Sequence, residues 1–233
     1  MAAHAIMIDG TPVAIGGGID SISLVQPKMV KGVVVEKKLM KTMPALWMPM
    51  IDTADLVAQR YGISRERQDE YSLRSQQRTA AAQKAGKFDD EIVPMETVMV
   101  VKNKETGEIS KLPYTVEKDE CNRPSTTLES LAALPPVCER LPHPPLVGPY
   151  LAPAHWQLNR PQVRLEQDPK ATVTAGNASQ LSDGASACVL MSETAAEKAG
   201  VTPLGAFKGF AVGGCSPEEM GIDPTVALPP LPE

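Results

Sequence analysis

Residues Asp168 to Met191 read DPKATVTAGNASQLSDGASACVLM, and the reading of this stretch decides how the rest of the chain is read. Its first part is nearly all small: Ala171, Thr172, Thr174, Ala175, Gly176, Asn177, Ala178 and Ser179, then Ser182, Asp183, Gly184, Ala185, Ser186 and Ala187. Small side chains let backbone or a bulky ligand approach closely. Asn, Ser, Thr and Asp add polar contacts at low cost in side-chain entropy. The run Ser186 to Met191 is short, apolar and bounded by Gly184 and by Ser192–Glu193, which predicts a short buried strand with Cys188 in the core. A polar, tightly packed turn thus runs straight into a core strand. Composition alone also permits a plain loop before a strand, with no ligand.

Working outward, the bounds are those of one large or two small domains: 233 residues, 42% of them apolar. The net charge is −5 and no basic tract stands out, which argues against nucleic acid or an anionic membrane surface as the main partner. No apolar run is long enough to span a bilayer. Met1 to Ile8 is apolar but short, with no basic lead and no clear cleavage site, so a cytoplasmic product is expected. The four cysteines, Cys121, Cys138, Cys188 and Cys215, are scattered without a CxxC pair, which predicts neither disulfides nor a structural metal.

Upstream, Met1 to Ile8 is helix-like and ends at Asp9–Gly10. Pro12 to Ile15 reads as a buried strand ending in a glycine turn, Gly16 to Gly18. Three glycines alone suit tight backbone packing, since the lysine and spacing of a phosphate loop are missing. Val33 to Val35 and Met40 to Met50 read as irregular, with Leu46, Trp47, Met48 and Met50 forming an apolar patch. Asp52 or Thr53 is expected to cap a helix through Arg60, closed by Gly62. Ser64 is expected to cap a longer helix over 65–85, closed by Gly86, whose many charges, Arg65 and Asp69 among them, read as a solvated face. Glu91 to Met95 and Val98 to Lys102, followed by Lys104–Gly107, read as a hairpin. Downstream, Glu193 to Ala199 is a short helix closed by Gly200, and Leu204 to Val212 a strand. Cys215 follows two glycines and is open to a reactive-thiol reading.

Several segments resemble the thiolase superfamily. VTAGNASQLSDGASA (173–187) is similar to a thiolase segment that forms part of the coenzyme A wall. GGGIDSIS (16–23) is similar to a turn of that family. YGISRERQDEYSLRSQQRTAAAQKAGKFDDEIVP (61–94) is very close to the helix pair of the thiolase loop domain, and its length makes it the most specific of these matches. EKDECNRPSTTLESLAA (117–133) and GGCSPEEMGIDPTVA (213–227) also resemble thiolase segments. The pattern breaks at 138–167, a stretch rich in proline that matches nothing expected and is read as an irregular insertion. His143 and His155 lie in it, with nothing nearby to complete a metal site. The tail LPPLPE (228–233) also departs from the family.

The resemblance implies an α/β fold: an incomplete thiolase-like fold with part of the N-terminal α/β half and its loop domain. Residues 1–23 and 170–212 would supply the core, 24–167 the loop domain, and 213–233 the start of the second half. It implies coenzyme A contacts at Arg123, beside the nucleotide end, at Ser130, beside the pantetheine arm, and at Ala175, Ser179 and Met50. A planar guanidinium suits that place because it pairs phosphate or stacks on a base, although Arg123 is also readable as a solvated loop arginine. The implied activity is acyl-CoA C-acyl transfer, thiolysis or condensation of a 3-ketoacyl-CoA such as acetoacetyl-CoA. A coenzyme A thioester is the substrate and no separate cofactor is implied. The family also implies a homo-oligomer. Its chemistry uses a cysteine nucleophile, a second cysteine that moves a proton, and two oxyanion holes. None of the four cysteines here stands in a thiolase catalytic context, so no catalytic residue is assigned and the chain is expected to be inactive alone. The alternatives are a non-catalytic coenzyme A-binding or oligomerising remnant, or an unstable product.

Overall fold

The computed structural model of the chain describes residues 1–25, 36–137 and 171–229. The Pro-rich stretch 138–167 with Cys138, His143 and His155, the piece 33–35 and the last four residues of the tail lie outside the described residues. Helices and strands are mixed, in keeping with an α/β class. The chain divides into two compact units. One gathers the described residues of Met1–Gly62, Leu141–Ala171 and Leu181–Glu233; the other gathers those of Ile63–Arg140 and Thr172–Gln180.

In the first unit, α1 (Ala2–Met7) leads through Gly10, at φ +73°, into β1 (Val13–Asp20). β1 pairs antiparallel with β4 (Gly184–Met191), Val13 opposite Met191 and Gly17 opposite Ala187. The three glycines expected to form a turn therefore lie inside the strand. The reason is steric: a Cβ on Gly17 would come 2.9 Å from the Ser186 carbonyl oxygen and 3.2 Å from the Ala187 Cβ. Glycine lets the two backbones pair at this close approach.

The expected burial of β4 fails. Its residues from Gly184 to Val189 are exposed, Cys188 included. Two strands alone cannot bury a face, and α1 is the helix that packs against them. Past β1, α2 (Ile22–Val25) is tied back by the Ser23 amide, which donates to Asp183 Oδ1 at 2.9 Å. That bond holds the Asp183 carboxyl below its ordinary range.

Residues 40–50 are more ordered than expected. α3 (Lys37–Thr42), capped by Glu36, is followed by a 3-10 turn (Pro44–Trp47) and by α4 (Met50–Arg60). α4 starts before the expected cap. Pro49 precedes it, and Thr53 lies inside its first turn, buried, with its hydroxyl donating to the Met50 carbonyl at 2.8 Å. Proline suits a helix start because it carries no amide hydrogen to leave unpaired. Leu56 and Ala58 on α4 are buried, and the helix packs on the 3-10 turn Pro217–Ile222, where Arg60 Nη1 meets Glu219 Oε1 at 2.9 Å. Residues 204–212, expected as a strand, pair with no strand among the described residues, and Leu204 and Phe210 are exposed. After β4 come α7 (Glu193–Ala199), closed by Gly200 at φ +65°, and α8 (Asp223–Ala227).

The second unit is built on α5 (Arg65–Lys84). The Ser64 hydroxyl accepts from the Arg67 amide at 3.2 Å, and Gly86 follows at φ +67°. β2 (Met95–Lys102) and β3 (Ile109–Val116) form an antiparallel hairpin, turned by the Asn103 side chain and by Gly107 at φ +74°. α6 (Leu128–Ala132) packs on α5. No helix among the described residues is long and apolar enough to cross a membrane.

Candidate functional site

The polar part of the quoted stretch, Thr172 to Gln180, is set by one buried network. Thr174 is fully buried at 0% exposure. Its amide donates to Asn177 Oδ1 at 2.8 Å, and its Oγ1 accepts from the amides of Gly176 (3.2 Å) and Asn177 (3.3 Å). The Ala178 amide donates to the Thr174 carbonyl. Asn177 Nδ2 divides its donors between the Thr172 carbonyl (2.9 Å) and Asp69 Oδ1 (3.1 Å). The amides of Thr174, Gly176, Asn177 and Ala178 therefore each meet a local acceptor, which is what makes a buried polar turn tolerable.

Asp69 is 2% exposed, so the reading of the α5 charges as a solvated face fails at this position. Its second oxygen accepts from Arg65 Nε at 2.8 Å, one helical turn away. Arg65 Nη2 then donates to the carbonyls of Leu131 (2.8 Å) and Leu134 (3.0 Å), at the C-terminal end of α6. An Arg–carboxylate pair at i,i+4 is ordinarily exposed and weak. Here burial and the two carbonyl acceptors make it a fixed strut.

Gly176 is seated against the same helix. A Cβ on it would lie 2.6 Å from both Leu131 Cδ2 and Leu134 Cδ1. The chain also bridges Pro136 and Thr174, with the Val137 amide donating to the Val173 carbonyl at 2.9 Å. Gln180 Nε2 donates to the Cys121 carbonyl at 2.7 Å.

Four of the five residues expected at the ligand lie in this unit. Ala175 and Ser179 are exposed on the turn. Arg123 is exposed, with its backbone amide held by Gln76 Oε1 at 2.8 Å. Ser130 is exposed on α6, but its hydroxyl already accepts from the Thr127 amide (3.0 Å) and donates to the Thr127 carbonyl (2.8 Å) in a capping box. Met50, the first residue of α4, is exposed in the other unit. Sequence reading missed Asp69 and Arg65 as part of the site. The signal present was Asn177, whose amide needs an acceptor once the small-residue turn is packed.

Cys215, the one cysteine read as open to reactivity, is half-buried. Its Sγ–H donates to Asp223 Oδ1 at 2.7 Å, which pushes the thiol up to about 11. The thiolate is the nucleophile, so this environment suppresses reactivity.

The comparisons with known proteins agree with these segments. Residues 1–140 and 161–194 match the family described as thiolase, N-terminal domain; the break at 141–160 falls in the Pro-rich stretch. The chain is 39% identical to the 3-ketoacyl-CoA thiolase of Bacillus subtilis, covering 98% of this chain and 50% of that protein. It is 37% identical to the human mitochondrial 3-ketoacyl-CoA thiolase, covering 96% and 49%. Among solved structures, the dimeric peroxisomal thiolase of Saccharomyces cerevisiae superimposes with TM-score 0.70 at 26% identity, covering 97% of this chain and 48% of that one. The human mitochondrial enzyme in complex with CoA gives 0.64 at 32% identity, covering 98% and 50%. The chain spans about half the length of the curated relatives it matches. On these matches, and on the segments that carry them, the chain belongs to the thiolase family through its N-terminal domain.

Proposed function

We propose that this chain supplies a wall of a coenzyme A thioester site for thiolase-type acyl transfer, thiolysis or condensation of a 3-ketoacyl-CoA. Arg123 would meet the nucleotide end and Ser130 the pantetheine arm, with Ala175 and Ser179 completing the contact within this unit; Met50, in the other unit, is proposed as a coenzyme A contact on the resemblance alone. The observation that carries the reading is the seating of the 174–177 turn. Gly176 lies against Leu131 and Leu134, so the exposed Ala175 and Ser179 belong to the same packed unit as Ser130 and Arg123. A relative crystallised in complex with CoA supports the choice of ligand.

Residues 1–23 and 170–212 would belong to the catalytic core, 24–167 to the loop domain and 213–233 to the start of a second half. None of the four cysteines stands in a nucleophile's context, so these 233 residues are proposed to bind without turning over. A homo-oligomer fits the relative described as dimeric. Our reading of the compartment is the cytoplasm, with fractionation to separate it from the peroxisome and mitochondrion named for relatives.

Thermal melting with and without coenzyme A tests the binding. A ligand held only by the folded state raises the midpoint, by the equivalent of about 2.7 kcal/mol at roughly a hundredfold excess over Kd. An unmoved midpoint removes the binding reading. Loss of acetoacetyl-CoA absorbance in the presence of free coenzyme A would instead show turnover and remove the claim that the chain does not turn over.

A further inference from the structure

We propose that Asp69 is the positioning residue that fixes the 172–180 turn and the end of α6 in one arrangement for a coenzyme A thioester. The inference rests on the coenzyme A reading above and adds a residue to it. Asp69 does not touch a ligand, being 2% exposed; it acts through its two neighbours. One oxygen accepts from Asn177, which in turn orders the amides of the turn that carries Ala175 and Ser179. The other oxygen accepts from Arg65, whose Nη2 holds the Leu131 and Leu134 carbonyls of the segment that carries Ser130. One carboxylate thus sets the positions of both proposed contact elements.

A carboxylate is required at this place because both partners are donors. A carboxylate only accepts, whereas a carboxamide presents one acceptor and one donor. In Asp69→Asn, either orientation of the amide turns its NH2 toward Arg65 Nε or toward Asn177 Nδ2. One of the two contacts becomes donor against donor in a buried site, and the turn is released on one side. The separation of Asp69 and Asn177 by 108 positions in sequence makes this a tertiary device and not a local turn feature.

The test uses the full 233-residue chain and three variants. Asp69→Asn breaks the latch isosterically. Asn177→Ser removes the amide donor to Asp69, together with that side chain's bonds to the Thr174 amide and the Thr172 carbonyl, while leaving the Arg65–Asp69 pair. Leu56→Ala, buried in α4 of the other unit, is the control for general loss of stability. Amide hydrogen exchange is read at Gly176, Asn177 and Ala178 and along the second half of α5, and coenzyme A affinity is read by titration. Both latch variants should speed exchange in the turn by about tenfold and weaken coenzyme A by about tenfold, with α5 protection retained. Leu56→Ala should lower the melting temperature and leave both readouts unchanged.

Unchanged exchange in the turn, or an equal rise along the whole of α5, would overturn the proposal. A coenzyme A affinity that stays constant while the turn opens would overturn it as well. If the unaltered chain binds no coenzyme A, the ligand reading fails first, and the exchange arm still decides whether Asp69 holds the turn.

Discussion

The two halves of the stretch Asp168 to Met191 end in opposite physical states. Residues 172–180 are fastened by side chains that are almost wholly buried, Thr174 and Asp69, while Gly184 to Val189 in β4 lie exposed beside β1. The first half is held by polar groups that satisfy each other over short distances, so a small number of residues suffices to bury them. The second half is apolar strand, and a strand is buried only when a second layer covers its sheet. Ile15, Ile19 and Val189 therefore remain exposed on a two-stranded sheet whose pairing is nonetheless in continuous register over eight residues. A polar latch is complete within one small unit, whereas an apolar face needs more structure than two strands provide.

Breaking the latch should have the largest effect. Asp69→Ala leaves Arg65 and Asn177 without their shared acceptor, and breaking a buried charged pair costs about 3 kcal/mol or more. Chemical denaturation followed by far-UV circular dichroism measures it. Asp183→Asn, at an exposed carboxylate held mainly by the Ser23 amide, should cost far less by the same measurement. The Asp183 carboxyl is held below its ordinary range mainly by the Ser23 amide. Its contribution is present above the unfolded-state value and is lost as pH falls through the folded one.

A second contrast is chemical. Moving a thiol from 9.0 to about 11 lowers its thiolate fraction at pH 8 by about a hundredfold, so iodoacetamide should label exposed Cys188 well before Cys215. The neutral Cys215 thiol is the form the fold favours. That contribution is complete below the ordinary thiol value and disappears as pH rises through about 11. Mass spectrometry of a labelling time course checks the order.

Gly176→Ala sharpens the comparison from the packing side. The added methyl meets Leu131 and Leu134, and Leu131 is 3% exposed, so it cannot swing into solvent. Overpacking of this kind costs about 1–3 kcal/mol, read as a shift in denaturation midpoint. On the exposed strand, Val189→Thr should change stability by less than about 0.5 kcal/mol, since a surface substitution away from any packed contact has little to lose. A loss there as large as that of Asp69→Ala would show that β4 is covered in solution.

Elements whose signals are local were legible in the sequence. Ser64 and Gly86 bracket α5, Ser192 and Gly200 bracket α7, and Lys104–Gly107 marks the β2–β3 turn, because caps and turns are decided by residues within one helical turn of each other. The glycines of β1 were not legible as strand. Their role depends on Ser186 and Ala187, some 170 positions away. Asp69 sits among Arg65, Glu66, Arg67, Gln68 and Glu70, and its neighbours in sequence look solvated. Only the fold shows that Asn177 reaches it. An apolar strand implies a core and so predicts a buried Cys188, whereas among the described residues its strand has only β1 as a sheet neighbour and Cys188 is exposed. Among the proposed coenzyme A contacts, the resemblance names Ala175 and Ser179 on the turn and Ser130 on α6, and the side chains that hold those two elements, Asp69 and Arg65, belong to α5.

The most direct test of the account is a titration of the isotopically labelled chain with coenzyme A, followed by amide resonances. Saturable shifts at Arg123, Ser130, Ala175 and Ser179, with Val189 unmoved, are the predicted result. Saturable shifts confined to β1 and β4, or no saturable shift at the turn, would contradict it.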